Sequence, residues 1–433
     1  MMTQKLKTYL FLLLAIGATK STYGQATIYP APEQQESITI QGATLHIGNG
    51  QVIENGSISF DKGRITYVGQ QTASPSGKVI DAKGKHVYPG FIAPITNLGL
   101  AEIEAVRATL DYAEVGDLNA HVRALIAYNT DSKVINTVRS NGVLLAQVTP
   151  QGGLISGQSS VVQLDAWNWE DAAYKADDGM HIRWPEARPS RFVRSGDNEQ
   201  ERIANQVALI ESFISQARAY SGDDKDQITN ARLKGFGGVF DQSTKVYLHA
   251  NSAEAIVSGV KSLKKQGLTP ILVGGGEAHL LPGFLKENGV SVIIQQSHRL
   301  PSQEGDDVYL PYKQAKMLSD QGVLVAYSVD GYWQQRNLPF MAGTAAGYGL
   351  SKEEALSTIT LNAAKIMGID EKTGSLEVGK DANLFVSAGD ALDMRGNNVE
   401  QAFIAGREID TDNLHKQLFE RYEHKYSSEN SEK

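Results

Sequence analysis

The sequence predicts an α/β protein, a barrel of parallel β/α units carrying a second β domain assembled from both ends of the chain. Three observations lead there. Short strand-like runs separated by turn residues fill residues 38–88 and return in residues 370–410. Between them, in residues 89–369, apolar runs of strand length alternate with helical stretches, the pattern of parallel β/α units. Seven such runs in that span suit a closed barrel of eight strands better than an open sheet.

The elements follow in chain order. Met1 to Lys7 carries Lys5 and Lys7, an apolar run extends from Tyr9 to Ala18, and Thr22, Tyr23 and Gly24 close a secretory-signal pattern. The run is too short to span a bilayer, which takes about 20 residues. Cleavage after Gly24 removes Lys5, Lys7 and Lys20 and no acid, taking the formal net charge from -8 to -11. A periplasmic or secreted protein is expected, with no membrane attachment once residues 1–24 are gone. Residues 25–37, with Pro30 and Pro32, read as a linker.

The first β block has strand-like segments at Ile38–Ile40, Ala43–Ile47, Ser57–Phe60 and Arg64–Val68, and the second has Asn383–Ser387 and Val399–Ile404. Barrel strands are expected at Tyr88–Ile92, Val143–Val148, Val161–Leu164, Val246–Ala250, Pro270–Val273, Val290–Ile294 and Val323–Ser328. Helices are expected at Asn198–Tyr220, Ala253–Gln266, Tyr312–Gln321 and Lys352–Met367, the last introduced by the capping sequence Ser351-Lys352-Glu353-Glu354. Residues 411–433 read as a charged helical tail that frays near Ser427.

Composition narrows the chemistry. The 433 residues include no cysteine, which excludes disulfides, thiolate ligands and a cysteine nucleophile. Only oxygen and nitrogen donors remain. A pI near 5.7 with no basic block argues against nucleic acid as a partner, since neutralising phosphates takes clustered Lys and Arg.

Val87-Tyr88-Pro89-Gly90-Phe91-Ile92, the segment from Arg336-Asn337-Leu338-Pro339 to Thr360-Leu361-Asn362-Ala363-Ala364-Lys365-Ile366-Met367-Gly368, and Gly374-Ser375-Leu376-Glu377-Val378-Gly379-Lys380-Asp381-Ala382-Asn383 together resemble the amidohydrolase superfamily, specifically its imidazolonepropionase-like branch. Pro150-Gln151-Gly152-Gly153-Leu154-Ile155-Ser156-Gly157-Gln158 is a weaker fourth match. The resemblance implies a (β/α)8 TIM-like barrel with a composite β-sandwich, and a hydrolase of amide or cyclic amide C–N bonds other than peptide bonds. It also implies one or two divalent metals that lower the pKa of a bound water, and a strand-eight aspartate that moves the proton.

Against that pattern the catalytic set is damaged. The family's His-x-His on strand one is replaced by Ile95-Thr96-Asn97, and the aspartate before it by Ala93. Alternation puts positions two apart on one face, so the geometry can persist while the ligands are gone. His249 falls at the strand-five histidine and Asp330 at the strand-eight aspartate, each just after an apolar run where barrel sites gather. Without the resemblance, His249 reads equally as a hydrogen-bonded core histidine and Asp330 as a loop carboxylate. The strand-six histidine should fall at Gly274 or Gly275, and His279 is the nearest substitute. His249, Asp330 and His279 are therefore the candidate metal ligands, with Asp330 also the catalytic candidate. Asn97, Glu277 and His298 are candidates for the substrate pocket.

The expected cofactor is one divalent metal, Zn or else Mn or Fe, or none. A small molecule is the expected partner, with a homo-oligomer left open. Two functions compete: an exported hydrolase with a reduced metal site, and a catalytically silent barrel that binds a ligand or pairs with an active relative. Ligand arithmetic separates them, because a catalytic zinc takes three protein ligands and the matched positions supply two.

Overall fold

A computed structural model describes residues 29–70, 75–187, 198–220, 229–301 and 303–430. Residues Ala31–Lys433 form a compact unit distinct from Met1–Pro30, and all the described strands and helices belong to it. The secretory-signal pattern of residues 1–24 lies outside the described residues.

Strands β1 (Ile38–His46), β2 (Val52–Asp61), β3 (Arg64–Gln70), β4 (Lys78–Asp81) and β5 (His86–Pro89) join β14 (Leu384–Ser387), β15 (Val399–Ile404) and β16 (Arg407–Ile409) in one sheet. Its order is β16-β15-β14-β5-β1-β2-β3, with β4 against β1. The two chain ends meet where β5 pairs antiparallel with β14, Pro89 opposite Leu384. One face buries Ile40, Leu45, Ile58, Phe60, Leu384 and Phe403 together.

The second sheet holds β6 (Phe91–Thr96), β7 (Val143–Val148), β8 (Ile155–Gln163), β9 (Ala173–Arg183), β10 (Lys245–Ala250), β11 (Pro270–Gly274), β12 (Val292–Gln295) and β13 (Val325–Ser328), in sequential order. It is a nearly closed barrel. At the seam the Ser328 hydroxyl of β13 donates to the Ile95 carbonyl of β6 at 2.7 Å, and the Ile92 N–H of β6 donates to Ile359 at 2.8 Å. Inward residues Ile92, Leu145, Tyr247, Ile293 and Ala326 pack with Ala363, Ala364 and Met367 of the helix Leu361–Met367. That helix closes the end where the strands begin: Lys175, near the start of β9, donates to the Met367 carbonyl at 3.0 Å.

Four details differ from the sequence expectation. The run Tyr88–Ile92 is two strands, because the chain leaves one sheet and enters the other at Gly90, where a Cβ would stand 2.7 Å from Leu144. The segment containing Val161–Leu164 is antiparallel to both neighbours, so the barrel is not a uniform (β/α)8. Only Thr149 to Leu154 link β7 to β8, turning at Gly152 and Gly153 with φ of 85° and 62°. So short a link cannot make the crossover of about a dozen residues or more that a parallel pair requires. The helix expected over Lys352–Met367 is broken into Lys352–Thr358 and Leu361–Met367, although the capping box at Ser351 and Glu354 is present. The tail helix runs from Leu414 to Asn430, beyond the fraying point expected near Ser427.

Candidate functional site at the barrel mouth

The carboxyl ends of β9, β10 and β12 and the residues after β13 bring His181, Arg183, His249, Gln295 and Asp330 to one end of the barrel. Register explains the layering. His249 is paired with Arg183 across β10 and β9, and Tyr247 with His181 one layer deeper. Period-two alternation then turns all four side chains toward the same face. His181 is fully buried and stacks on Tyr247 with ring centroids 4.7 Å apart and planes 9° from parallel. Its Nδ1 lies 2.9 Å from Nε2 of His249.

Both imidazoles are held neutral. Burial pushes His181 down to about 3, with the Arg183 guanidinium adding to the effect. Burial also carries His249 well below the usual histidine range, helped by Arg183 and by His181. Between two neutral rings one nitrogen donates and the other accepts. Nε2 of His181 is buried without a partner, and an orphaned lone pair is cheaper there than an orphaned N–H. The favoured tautomer therefore has His181 Nδ1–H donating to His249 Nε2.

Arg183 is half-buried, and its Nε has no hydrogen-bond partner. Burial lowers its pKa, and the field of Asp330 opposes this. Asp330 reaches solvent at the rim. Crowding by surrounding protein raises its carboxyl above the ordinary range, opposed by Arg183, by Arg299 and by a hydrogen bond from Gln295. Arg299 is itself engaged with the carbonyl of Leu300 at 3.2 Å.

The other sequence candidates are distributed differently. Asn97 is buried just beyond β6, and its Oδ1 has no partner. Glu277 caps a helix: one carboxylate oxygen accepts from the Ala253 N–H at 2.7 Å and the other from Gln303 at 2.7 Å, holding its pKa low. His279 sits on a short turn after β11, and the charges acting on it are Asp306, Glu277 and Arg299. His298 is bonded to the Thr344 hydroxyl at 2.6 Å and lines a different cavity with Asp390 and Lys352. Among the described residues no group of three or more His, Asp or Glu is arranged to hold a metal ion, His249, Asp330 and His279 included. A side chain at Gly274, where the resemblance leads one to expect the strand-six histidine, would be strained. Gly274 has φ 95°, and a Cβ there would lie 2.6 Å from Asn251 Oδ1.

His181 and Arg183 escaped the sequence reading. The available signal was the alternation Met180-His181-Ile182-Arg183, apolar residues out and polar ones in, at the end of a strand. Beside the mouth, on the same side of the barrel, a cavity of about 450 Å³ is lined by Trp184, Glu186, Asn251, Ser252 and Glu277. That is within the size range of small-molecule sites.

The solved structure of an amidohydrolase from Thermotoga maritima superposes on this barrel with a TM-score of 0.74 at 22% identity, covering 86% of this chain and 99% of that one. The fold is thus that of the amidohydrolases. The Amidohydrolase family profile matches residues 312–409. Imidazolonepropionase of Thermoplasma volcanium is 37% identical over 378 residues, covering 81% of this chain and 89% of the relative. Imidazolonepropionase of Symbiobacterium thermophilum is 26% identical over 376 residues, or 77% and 84% of the two chains. The chain belongs to the amidohydrolase superfamily, in its imidazolonepropionase-like branch.

Proposed function

We propose that the protein is an exported amidohydrolase-superfamily barrel whose mouth receives a small amide or cyclic amide, and whose ancestral two-metal centre is degenerate. The observation that carries this reading is the hydrogen bond between His181 and His249, 2.9 Å long. Nε2 of His249, a nitrogen through which imidazole binds metals, accepts a hydrogen bond from His181 Nδ1–H in the favoured tautomer, which occupies its lone pair. The donors present fit a divalent metal poorly: the free lone pair of His181 Nε2 is one nitrogen donor where a catalytic zinc takes three protein ligands. Ile95 cannot ligate, a neutral Asn97 carbonyl is a poor zinc ligand, and the guanidinium of Arg183 adds positive charge to the same mouth. No chemical step is therefore derived through a metal.

What the residues can do is bind and polarise. Arg183 and Gln295 offer N–H donors to a carbonyl or an anion, and Asp330 accepts from an amide N–H at the solvent-facing rim. A second reading, hydrolysis of the C–N bond with a reduced metal site, is favoured by Asp330 standing at the mouth with its carboxyl above the usual range, as suits a group that takes and returns a proton. The reading of the two-ended sheet as a composite sandwich domain rests on the β5–β14 pairing.

Metal analysis of the purified mature protein, after equilibration with Zn, Mn or Fe, separates the two. Substoichiometric metal, unchanged in His249→Ala, together with no metal-dependent hydrolysis of an amide panel, is expected. A stoichiometric metal that His249→Ala removes would overturn the proposal in favour of the reduced-site hydrolase.

A further inference from the structure

We propose that the C-terminal helix, Leu414–Asn430, docks on the same helix of a second copy of this chain. The inference does not depend on what the barrel mouth binds. The first turn of the helix is anchored. Asn413 is buried, donates to the Ser140 hydroxyl at 2.9 Å and accepts from the N–H groups of His415 and Lys416, and the His415 ring stacks on Trp333. Beyond it, every residue from 417 to 427 is exposed. A helix of 17 residues is close to the length, about 12–15 residues, at which an isolated helix is marginal in water, so its outer turns gain by packing on something.

The face it offers is apolar. Leu414, Leu418, Tyr422 and Tyr426 recur every four residues and Phe419 widens the row, each of them between 37% and 66% exposed. These five side chains present roughly 500 Å² on one helix and about 1,000 Å² on two, the size at which an interface becomes specific. A row of this spacing is an i±4 ridge, and two such ridges interdigitate at about −50°, the commonest way helices pack. The row therefore fits a copy of itself.

Charge points to that copy as the occupant. The chain carries a net charge of -8, so two copies repel on average, but along this helix Lys416, Arg421 and Lys425 offset Glu420 and Glu423. At about 100° per residue, Arg421 and Lys425 border one side of the row and Glu423 the other. Arg421 lies 5.9 Å from the centre of the Tyr422 ring, and the Lys425 ammonium 5.0 Å from that of Tyr426. A two-fold axis running along the helices sets the cationic border of each copy against Glu423 of the other, whereas an axis across them sets cation against cation. The pair is accordingly crossed and parallel.

Analytical ultracentrifugation of the mature protein should show a dimer with a Kd in the micromolar range or tighter. Tyr422→Glu, at an exposed position, should weaken it about 10-fold or more without lowering the melting temperature of the monomer. Arg421→Glu should weaken it less, and adding Glu423→Arg should restore it. Because the chain has no cysteine, Leu418→Cys and Tyr426→Cys each introduce a single thiol, and a short bismaleimide should join two copies of either variant.

A monomer at every concentration, a dimer indifferent to Tyr422→Glu or to Arg421→Glu, or cross-linking only in a mixture of the two thiol variants would each overturn the inference. A monomer that cosediments with vesicles of phosphatidylethanolamine and phosphatidylglycerol, and loses them in Tyr422→Glu, would overturn it in favour of a lipid surface.

Discussion

Nδ1 of His181 and Nε2 of His249 lie 2.9 Å apart on neighbouring strands, so that one nitrogen of each ring is spent on the other. On the proposed reading, a histidine matched to a superfamily ligand position is half of a neutral pair, and the degeneracy extends beyond the first barrel strand.

Restoring those imidazoles alone should not restore a metal. In Ile95→His/Asn97→His, zinc uptake measured by elemental analysis is expected to stay well below one per chain. Adding Arg183→Met should raise it toward one, since the competing cation is then gone. Full loading with Arg183 in place would contradict the role given to the guanidinium.

Asp178 provides a pH-dependent stability at the other end of the barrel. It is fully buried, with a Gln147 amide at 3.2 Å and Lys175 at 3.8 Å, and burial lifts its carboxyl to about 7 against these opposing contacts. A folded-state value above the unfolded one means that the native state holds the proton more tightly. Stability is therefore lost as pH rises from about 4 to 7 and is level above that. In urea titrations the advantage of Asp178→Asn over wild type should grow by about 3 kcal/mol between pH 5 and pH 8. A constant difference would show that the carboxyl titrates normally.

Asp165 ties three parts of the chain together. It accepts from Arg139 at 2.8 Å, from Arg407 at 3.0 Å and from the Ala31 N–H at 2.8 Å, and it is 1% exposed. Asp165→Ala leaves two guanidiniums uncompensated and should cost about 3–5 kcal/mol in denaturant titrations. Arg395→Gln, which breaks the exposed pair with Asp393, should cost less than about 1 kcal/mol. Similar losses for the two variants would refute the network's importance.

Export is checked at the amino terminus. Expressed in a Gram-negative host, the full chain should appear in the periplasmic fraction, with mass spectrometry placing its first residue at Gln25. An intact Met1 in the cytosolic fraction would contradict the proposed secretory signal.

How much of the site was legible in the sequence depends on the strand. His249 and Asp330 each follow an apolar run, and the structure brings both to the mouth. β9 was hidden because Asp177 has φ 50° and Asp178 interrupts the apolar pattern, so His181 and Arg183 beyond them belonged to no recognised strand. His279 looked near enough in sequence to replace a ligand. The positive φ of Gly274 and Gly275 instead leads the chain into a separate turn, a matter of backbone conformation that residue spacing does not report.

The pairing of β5 with β14 has a consequence for biogenesis. Val87 and Tyr88 emerge early in synthesis, yet their partners Val386 and Phe385 come only near the end of the chain. Until then the edge of β5 that will meet β14 presents unpaired backbone groups, a template for misassociation. The molecule must therefore remain unfinished until almost all of it has been made, and a shielding chaperone should improve its yield more than a slower ribosome would.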